Sequence, residues 1–370
     1  MNQQQQLEKY LQLYNKILTQ VISEVNKLYS KQEEINNREQ NILEIKDNTI
    51  QILELLKEQQ NRAIQKNIRS LNKVMELEHK STVLSVLELK DLRLATGDYN
   101  GYIRLFSIDY EQQQWIKVNE HKGHNDGITS LCELSGNKLI SSSDDKTLKL
   151  WNLNYNTISL IKTLNGNDWM YQVIPLTNNI IASGSKDKTI KVWELNSFRA
   201  IRSLEEDFEV FSLLKLRTQN TMVSGGWGKC ISFWNINTFK KEHSVTCCGC
   251  FSLNGLIELP NNYVAVSGGG ASTIDIIDTK NYQRIKQIQC KDYIVSSLDF
   301  SSIHLLNDGT FIYSHEGCFC QISPTTYEII FKIKKEDEFV GSAITSSSDG
   351  KFVIANNNKY GISIFRLGCA

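Results

Sequence analysis

A chain of 370 residues has room for one large domain plus an extension. Lysine plus arginine balance aspartate plus glutamate at 41 each, so bulk charge favours neither nucleic acid nor an anionic membrane as a partner. The opening Met1-Asn2-Gln3-Gln4-Gln5-Gln6 has no apolar signal core, and no apolar run approaches the roughly 18 residues that span a bilayer.

The first glycine is Gly97 and the first proline is Pro175, so the opening 96 residues contain neither helix breaker. Apolar residues recur there at alternating steps of four and three: Leu7, Leu11, Tyr14, Leu18, Val21, Val25, Leu28, then Ile35 and Ile42. That spacing predicts an α-helical coiled coil over 1–72. Ile45, Ile52, Leu55 and Leu56 continue the stripe, and Ile64, Ile68 and Leu71 restart it in a shifted frame. The shift is either a stutter or a break near Ser30–Arg38 that folds the segment into a hairpin. A stripe of this length is stabilised by packing against another surface. Self-association is therefore expected first, and docking onto a heterologous filament or complex second.

Two tandem copies of one motif follow. The first runs Gly123-His124-Asn125-Asp126, then Leu139-Ile140-Ser141-Ser142-Ser143-Asp144-Asp145-Lys146-Thr147-Leu148-Lys149-Leu150-Trp151-Asn152. The second runs Gly166-Asn167-Asp168, then Ile180-Ile181-Ala182-Ser183-Gly184-Ser185-Lys186-Asp187-Lys188-Thr189-Ile190-Lys191-Val192-Trp193-Glu194. These residues resemble WD repeats, whose period of about 40–45 residues corresponds to a four-stranded propeller blade. The resemblance implies a hydrogen-bonded tetrad that fixes each turn, filled by His124, Asp145 and Trp151 in one copy and by Asp187 and Trp193 in the next. These are structural roles.

Taking Trp151 and Trp193 as a ruler exposes seven positions: Phe106, Trp151, Trp193, Trp234, Ile277, Ile322 and Phe365. A seven-bladed, all-β propeller over 73–370 is the expected fold, preceded by the coiled coil. His79 precedes Phe106 at the same offset at which His124 precedes Trp151. The last three blades keep the period but lack both the Trp and the turn Asp. Few residues follow Phe365, and Lys73-Val74-Met75-Glu76-Leu77-Glu78 alternates like a strand, so 73–78 is expected to supply the outer strand of blade 7 and close the ring.

No catalytic motif survives inspection. Gly225-Gly226-Trp227-Gly228-Lys229-Cys230 lacks the spacing and the Ser or Thr of a phosphate loop, and neither a nucleophile elbow nor a zincin or kinase signature occurs. Cys247-Cys248-Gly249-Cys250 and Cys318-Phe319-Cys320 lack paired zinc-knuckle spacing and read as packing residues. No metal, cofactor or catalytic residue is expected. The chain has nine cysteines, an odd number, and no Asn-x-Ser/Thr sequon, which points to a cytoplasmic address, with association with a cytoskeleton or cilium as a variant.

Loops at the two ends of a rigid scaffold are where binding residues concentrate. The WD resemblance implies a binding face formed by residues opening the inner strands and by the residue just before each turn Asp. The second set maps to Tyr99, Asp144, Lys186, Trp227, Gly270, His315 and Asn358, and the first to Trp169 and Tyr171 in blade 3 and Phe211 in blade 4. Trp169, Tyr171, Lys186, Phe211 and Trp227 should then cluster, as aromatic hot spots do, unless Tyr171 and Phe211 merely fill space between blades. The expected function is a non-enzymatic adaptor: the propeller binds a protein or peptide and the coiled coil provides homo- or hetero-oligomerisation. The alternatives are a structural component of a ciliary, cytoskeletal or other large assembly, or, by family analogy alone, a substrate receptor of a ubiquitin ligase.

Overall fold

Short runs that alternate apolar with small polar residues, closed by tight turns, favour strands, and strands dominate the computed structural model of this chain. It describes residues 15–21, 23, 51, 70–247, 252–269, 273–290, 302–315, 318–334, 343–357 and 360–368. The chain divides into two units, Met1–Asn67 and Ile68–Ala370. In the first, residues 15–21, 23 and 51 are helical, and the rest of the expected coiled coil up to residue 69 lies outside the described residues.

The described residues of the second unit form seven antiparallel sheets of four strands. Blade 1 comprises Val83–Glu88, Leu94–Asp98, Tyr102–Asp109 and Gln114–Lys122. Blade 2 comprises Ile128–Leu134, Lys138–Ser143, Thr147–Leu153 and Ile158–Asn165. Blade 3 is Met170–Pro175, Ile180–Ser185, Thr189–Glu194 and Arg199–Glu205, and blade 4 is Val210–Lys215, Thr221–Gly226, Cys230–Asn235 and Lys240–Thr246. Blade 5 begins with Ser252–Leu259 and blade 6 with Ser302–Leu305.

Blade 7 draws on distant parts of the chain. Ile344–Ser346, Phe352–Asn356 and Gly361–Gly368 are completed on the outside by Ser70–Glu78, antiparallel to Gly361–Gly368. Each inner strand packs beside the next, and Ile344–Ser346 returns to Val83–Glu88, closing a seven-bladed propeller. At the join, Asn356 Nδ2 donates to Val83 O at 3.1 Å. The closing strand takes in Ser70, Leu71 and Asn72, which the heptad reading assigned to the helix. Leu71 fits both a heptad and a two-residue alternation, and backbone pairing with Leu367 decides in favour of the strand.

The core lies between blades. Each of seven apolar clusters straddles two consecutive blades, such as Ile103, Leu105, Ile128, Leu139 and Trp151 between blades 1 and 2. The seven ruler residues all sit on third strands, none more than 4% exposed. The register between third and outer strand shifts beside every one of them, as between Leu150 and Trp151 or between Gln321 and Ile322. Such bulges add local twist. They recur where a large side chain packs against the preceding blade.

Candidate protein-binding face

The blade 2 turn is locked by hydrogen bonds through buried groups. His124 donates from Nδ1 to Asp145 Oδ2 at 2.9 Å, and its Nε2 accepts from the Ser141 hydroxyl at 2.7 Å. Trp151 Nε1 donates to Ser141 Oγ at 2.8 Å. Burial keeps His124 neutral by lowering its pKa, with Asp145 pulling the other way. Burial also opposes ionisation of Asp145, but bonds from His124 and Thr147 outweigh it and hold the carboxyl well below the usual carboxylate range.

The other blades keep this scheme with substitutions. In blade 3 Trp193 still donates to Ser183 Oγ at 2.9 Å and Thr189 to Asp187 Oδ1 at 2.7 Å. Without a histidine, Asp187 Oδ2 accepts no hydrogen bond and lies 3.5 Å from Lys191 Nζ. In blade 1 His79 meets Thr96 Oγ1 at 3.1 Å and stands against the Phe106 ring. Blade 4 uses a carboxylate that sequence reasoning missed. Glu206, its side chain fully buried, accepts from Ser224 at 2.6 Å, Trp234 at 3.0 Å, Ser232 at 3.2 Å and Lys241 at 2.7 Å. Its signal was an acid 28 residues before Trp234, next to the offset at which His124 precedes Trp151. Also missed was the Arg104 guanidinium of blade 1, buried between Asp98 and Glu120.

These turns position the loop residues above them. In blades 1 to 4 the backbone N–H just before the turn Asp, or its equivalent, donates to the segment opening the inner strand: Tyr99 to Thr82, Asp144 to Gly127, Lys186 to Trp169 and Trp227 to Glu209, at 2.8–3.0 Å. The two sets of residues singled out in the sequence are thereby brought side by side. In blade 4 this requires Gly226, because a Cβ there would collide with the Glu209 carbonyl.

A second repeated device aims Tyr171 and Phe211. The first-to-second strand register shifts between Met170 and Gln172 and between Val210 and Ser212, so that Tyr171 and Phe211 fall at bulges. Their rings link the exposed tryptophans into one edge-to-face ladder. Trp169 meets Tyr171 at 6.5 Å, Tyr171 meets Phe211 at 4.6 Å, and Phe211 meets Trp227 at 6.2 Å, with interplanar angles of 86–89°. Trp169 is 39% and Trp227 47% exposed, while Tyr171 and Phe211 are half-buried. Lys186 Nζ lies 3.8 Å above the Trp169 ring.

The ladder is bordered by acids. Tyr171 donates to Glu209 Oε2 at 3.1 Å. Burial, and then the charges of Glu209, Asp144 and Asp168, raise its hydroxyl above the ordinary tyrosine value. Burial followed by the charges of Asp126 and Asp145 pushes the Asp144 carboxyl up to about 6, and its Oδ1 is buried without a hydrogen-bond partner. Tyr99 is exposed on the blade 1 turn, and its ring takes no place in the ladder. Gly270, Asn358 and the side chain of His315 lie outside the described residues. So do Cys248 and Cys250, whereas Cys247 and Cys320 are buried between blades. Among the described residues no group of three or more His, Cys, Asp or Glu side chains is placed to hold a metal ion.

Residues 115–152 and 158–194 match the family "WD domain, G-beta repeat". Each matched segment begins in the outer strand of one blade and ends in the third strand of the next. The serine-threonine kinase receptor-associated proteins of Mus musculus and Homo sapiens are 32% identical over 97 residues, covering 26% of this chain and 26% of theirs. Nuclear distribution protein PAC1 of Candida albicans is 39% identical over 61 residues, covering 15% of this chain and 12% of its own. The chain therefore spans about a quarter of the length of the first of these relatives and less of the last.

Proposed function

Because this chain is a WD-repeat β-propeller protein, we propose that it is a non-enzymatic adaptor that captures a protein or peptide on the face formed by blades 3 and 4. One observation carries this reading: two exposed tryptophans, one opening the inner strand of blade 3 and one on the blade 4 turn, joined by Tyr171 and Phe211 into a continuous aromatic surface. Aromatic side chains clustered on an exposed patch are the residues that dominate binding energy in protein interfaces. The rings are set on bulges and turns fixed from below, so little ordering entropy is lost when a partner docks.

The helical segment adds multivalency. An oligomer presents several such faces, and linked binding to a repeated target raises avidity without any new contact. Light scattering on the full chain and on a version starting at Ile68, which preserves the closing strand, tests that half of the proposal. A monomeric full chain removes oligomerisation from the account. For the face itself, affinity purification with the full chain as bait should recover partners that a Trp169→Ala/Trp227→Ala bait loses. Sedimentation of the wild-type chain with microtubules, independent of these tryptophans, would instead favour a filament-bound structural role.

A further inference from the structure

The aromatic ladder already holds a cation. Lys186 reaches over its own turn to place an ammonium 3.8 Å from the centre of the Trp169 ring, close enough for attraction to the ring's negative face. The surroundings favour positive charge. Asp144, Asp168 and Glu209 all act on Tyr171 in the middle of the ladder. Asp168 is matched by Lys146 at 3.3 Å. Neither Asp144 nor Glu209 has an ammonium or guanidinium within ion-pair distance among the described residues. Glu209 takes its bond from a neutral hydroxyl, and Asp144 leaves Oδ1 buried and unbonded. Two carboxylates thus flank the rings without an ion pair, Asp144 under only the longer-range pull of Lys186, and that lysine lies across one end of the ladder.

We infer that the partner on this face presents a basic side chain, lysine or arginine, to the ring ladder, and that Lys186 is the resident cation it displaces. This deepens the adaptor reading and rests on it. Ring faces and edges at right angles offer a cation both a quadrupole surface and apolar walls for its aliphatic stem. Asp144 and Glu209 supply acceptors that an incoming guanidinium or ammonium can pair with. An acidic or purely apolar peptide meets only Lys186 as a favourable charge and leaves both carboxylates unmatched.

The test uses the full chain carrying fluorotryptophan, with the Trp169 and Trp227 resonances assigned by Trp→Phe substitution. Three probes are titrated: N-acetyl-arginine methylamide and the corresponding glutamate and norleucine compounds. The arginine probe should shift the Trp169 resonance saturably, and the other two should leave it in place. Lys186→Ala vacates the ring and should tighten arginine binding about two- to fivefold, the worth of an exposed cation–π contact. Asp144→Asn should weaken it by a similar factor. An equal or larger response to the glutamate probe, weaker arginine binding after Lys186→Ala, or no response to any probe overturns the assignment. If protein capture still depends on Trp169 and Trp227 in those cases, the adaptor reading stands and only the cationic occupant fails.

Discussion

Replacing Glu206 by alanine tests how far the tetrad scheme extends beyond its histidine form. The side chain is fully buried and accepts from Ser224, Ser232, Trp234 and Lys241. Removing one partner of a buried ion pair costs about 3–5 kcal/mol when the other charge is stranded. Three features reduce that figure here. Trp234 keeps its bond to Ser224 Oγ at 2.9 Å, Ser232 keeps Ser244 Oγ at 3.3 Å, and Lys241, 30% exposed, can turn to water. The expected loss is about 2–4 kcal/mol for Glu206→Ala and about 1–2 kcal/mol for Glu206→Gln, which keeps shape and most bonds. Urea unfolding followed by tryptophan fluorescence reads both. A Glu206→Ala protein within about 0.5 kcal/mol of wild type would refute the view that this carboxylate holds blade 4 together.

Three further predictions concern pH and backbone. Burial holds His79 and His304 down to about 4 in the fold, so each binds its proton less readily folded than unfolded. Their contribution is intact above about pH 6.5 and declines as pH falls towards 4, by about 1–2 kcal/mol each after allowing for partial exposure; urea midpoints that stay level between pH 7 and 4.5 would contradict this. Asp144 has the opposite sign: with its folded pKa raised to about 6, ionisation costs stability as pH rises from about 4 to 6. Asp144→Asn should therefore stabilise the protein at pH 7.5 by about 1–2 kcal/mol and have little effect at pH 4, which thermal melts at the two pH values can check. Gly226→Ala forces a methyl against the Glu209 carbonyl and should cost about 1–3 kcal/mol while shifting Trp227 fluorescence; an unchanged emission maximum would mean that the turn tolerates the methyl without moving the ring.

The fold was readable because blade geometry imposes a period. Trp151 and Trp193 mark it openly, and Ile277, Ile322 and Phe365 can be found from it because each occupies the same bulged, buried site on a third strand. The polar anchors of blades 4 to 7 were not readable, because buried hydrogen bonding can be satisfied by several residue types. Glu206 replaces a histidine, Gln287 bonds Asp275 in blade 5, Gln321 bonds Thr310 in blade 6 and Asn357 bonds Ser363 in blade 7. Ser70–Asn72 misled because one leucine fits a helix stripe and a strand alternation alike. For the candidate face, the clustering of Trp169, Tyr171, Lys186, Phe211 and Trp227 could be counted out from the motif. The edge-to-face order of the rings could not, since it depends on bulges at Tyr171 and Phe211 that alternation in sequence does not display.

The central claim is that the ladder of blades 3 and 4 is a binding surface standing outside the core. The most direct measurement takes one protein, the full-length Trp169→Ala/Trp227→Ala double variant, and records partner capture and the urea midpoint together. Both rings are more than a third exposed, so stability should fall by about 2–4 kcal/mol at most for the pair, with the fold kept, while capture is lost. Retained capture, or a loss well beyond that figure, would show that these rings serve the fold and that the partner binds elsewhere.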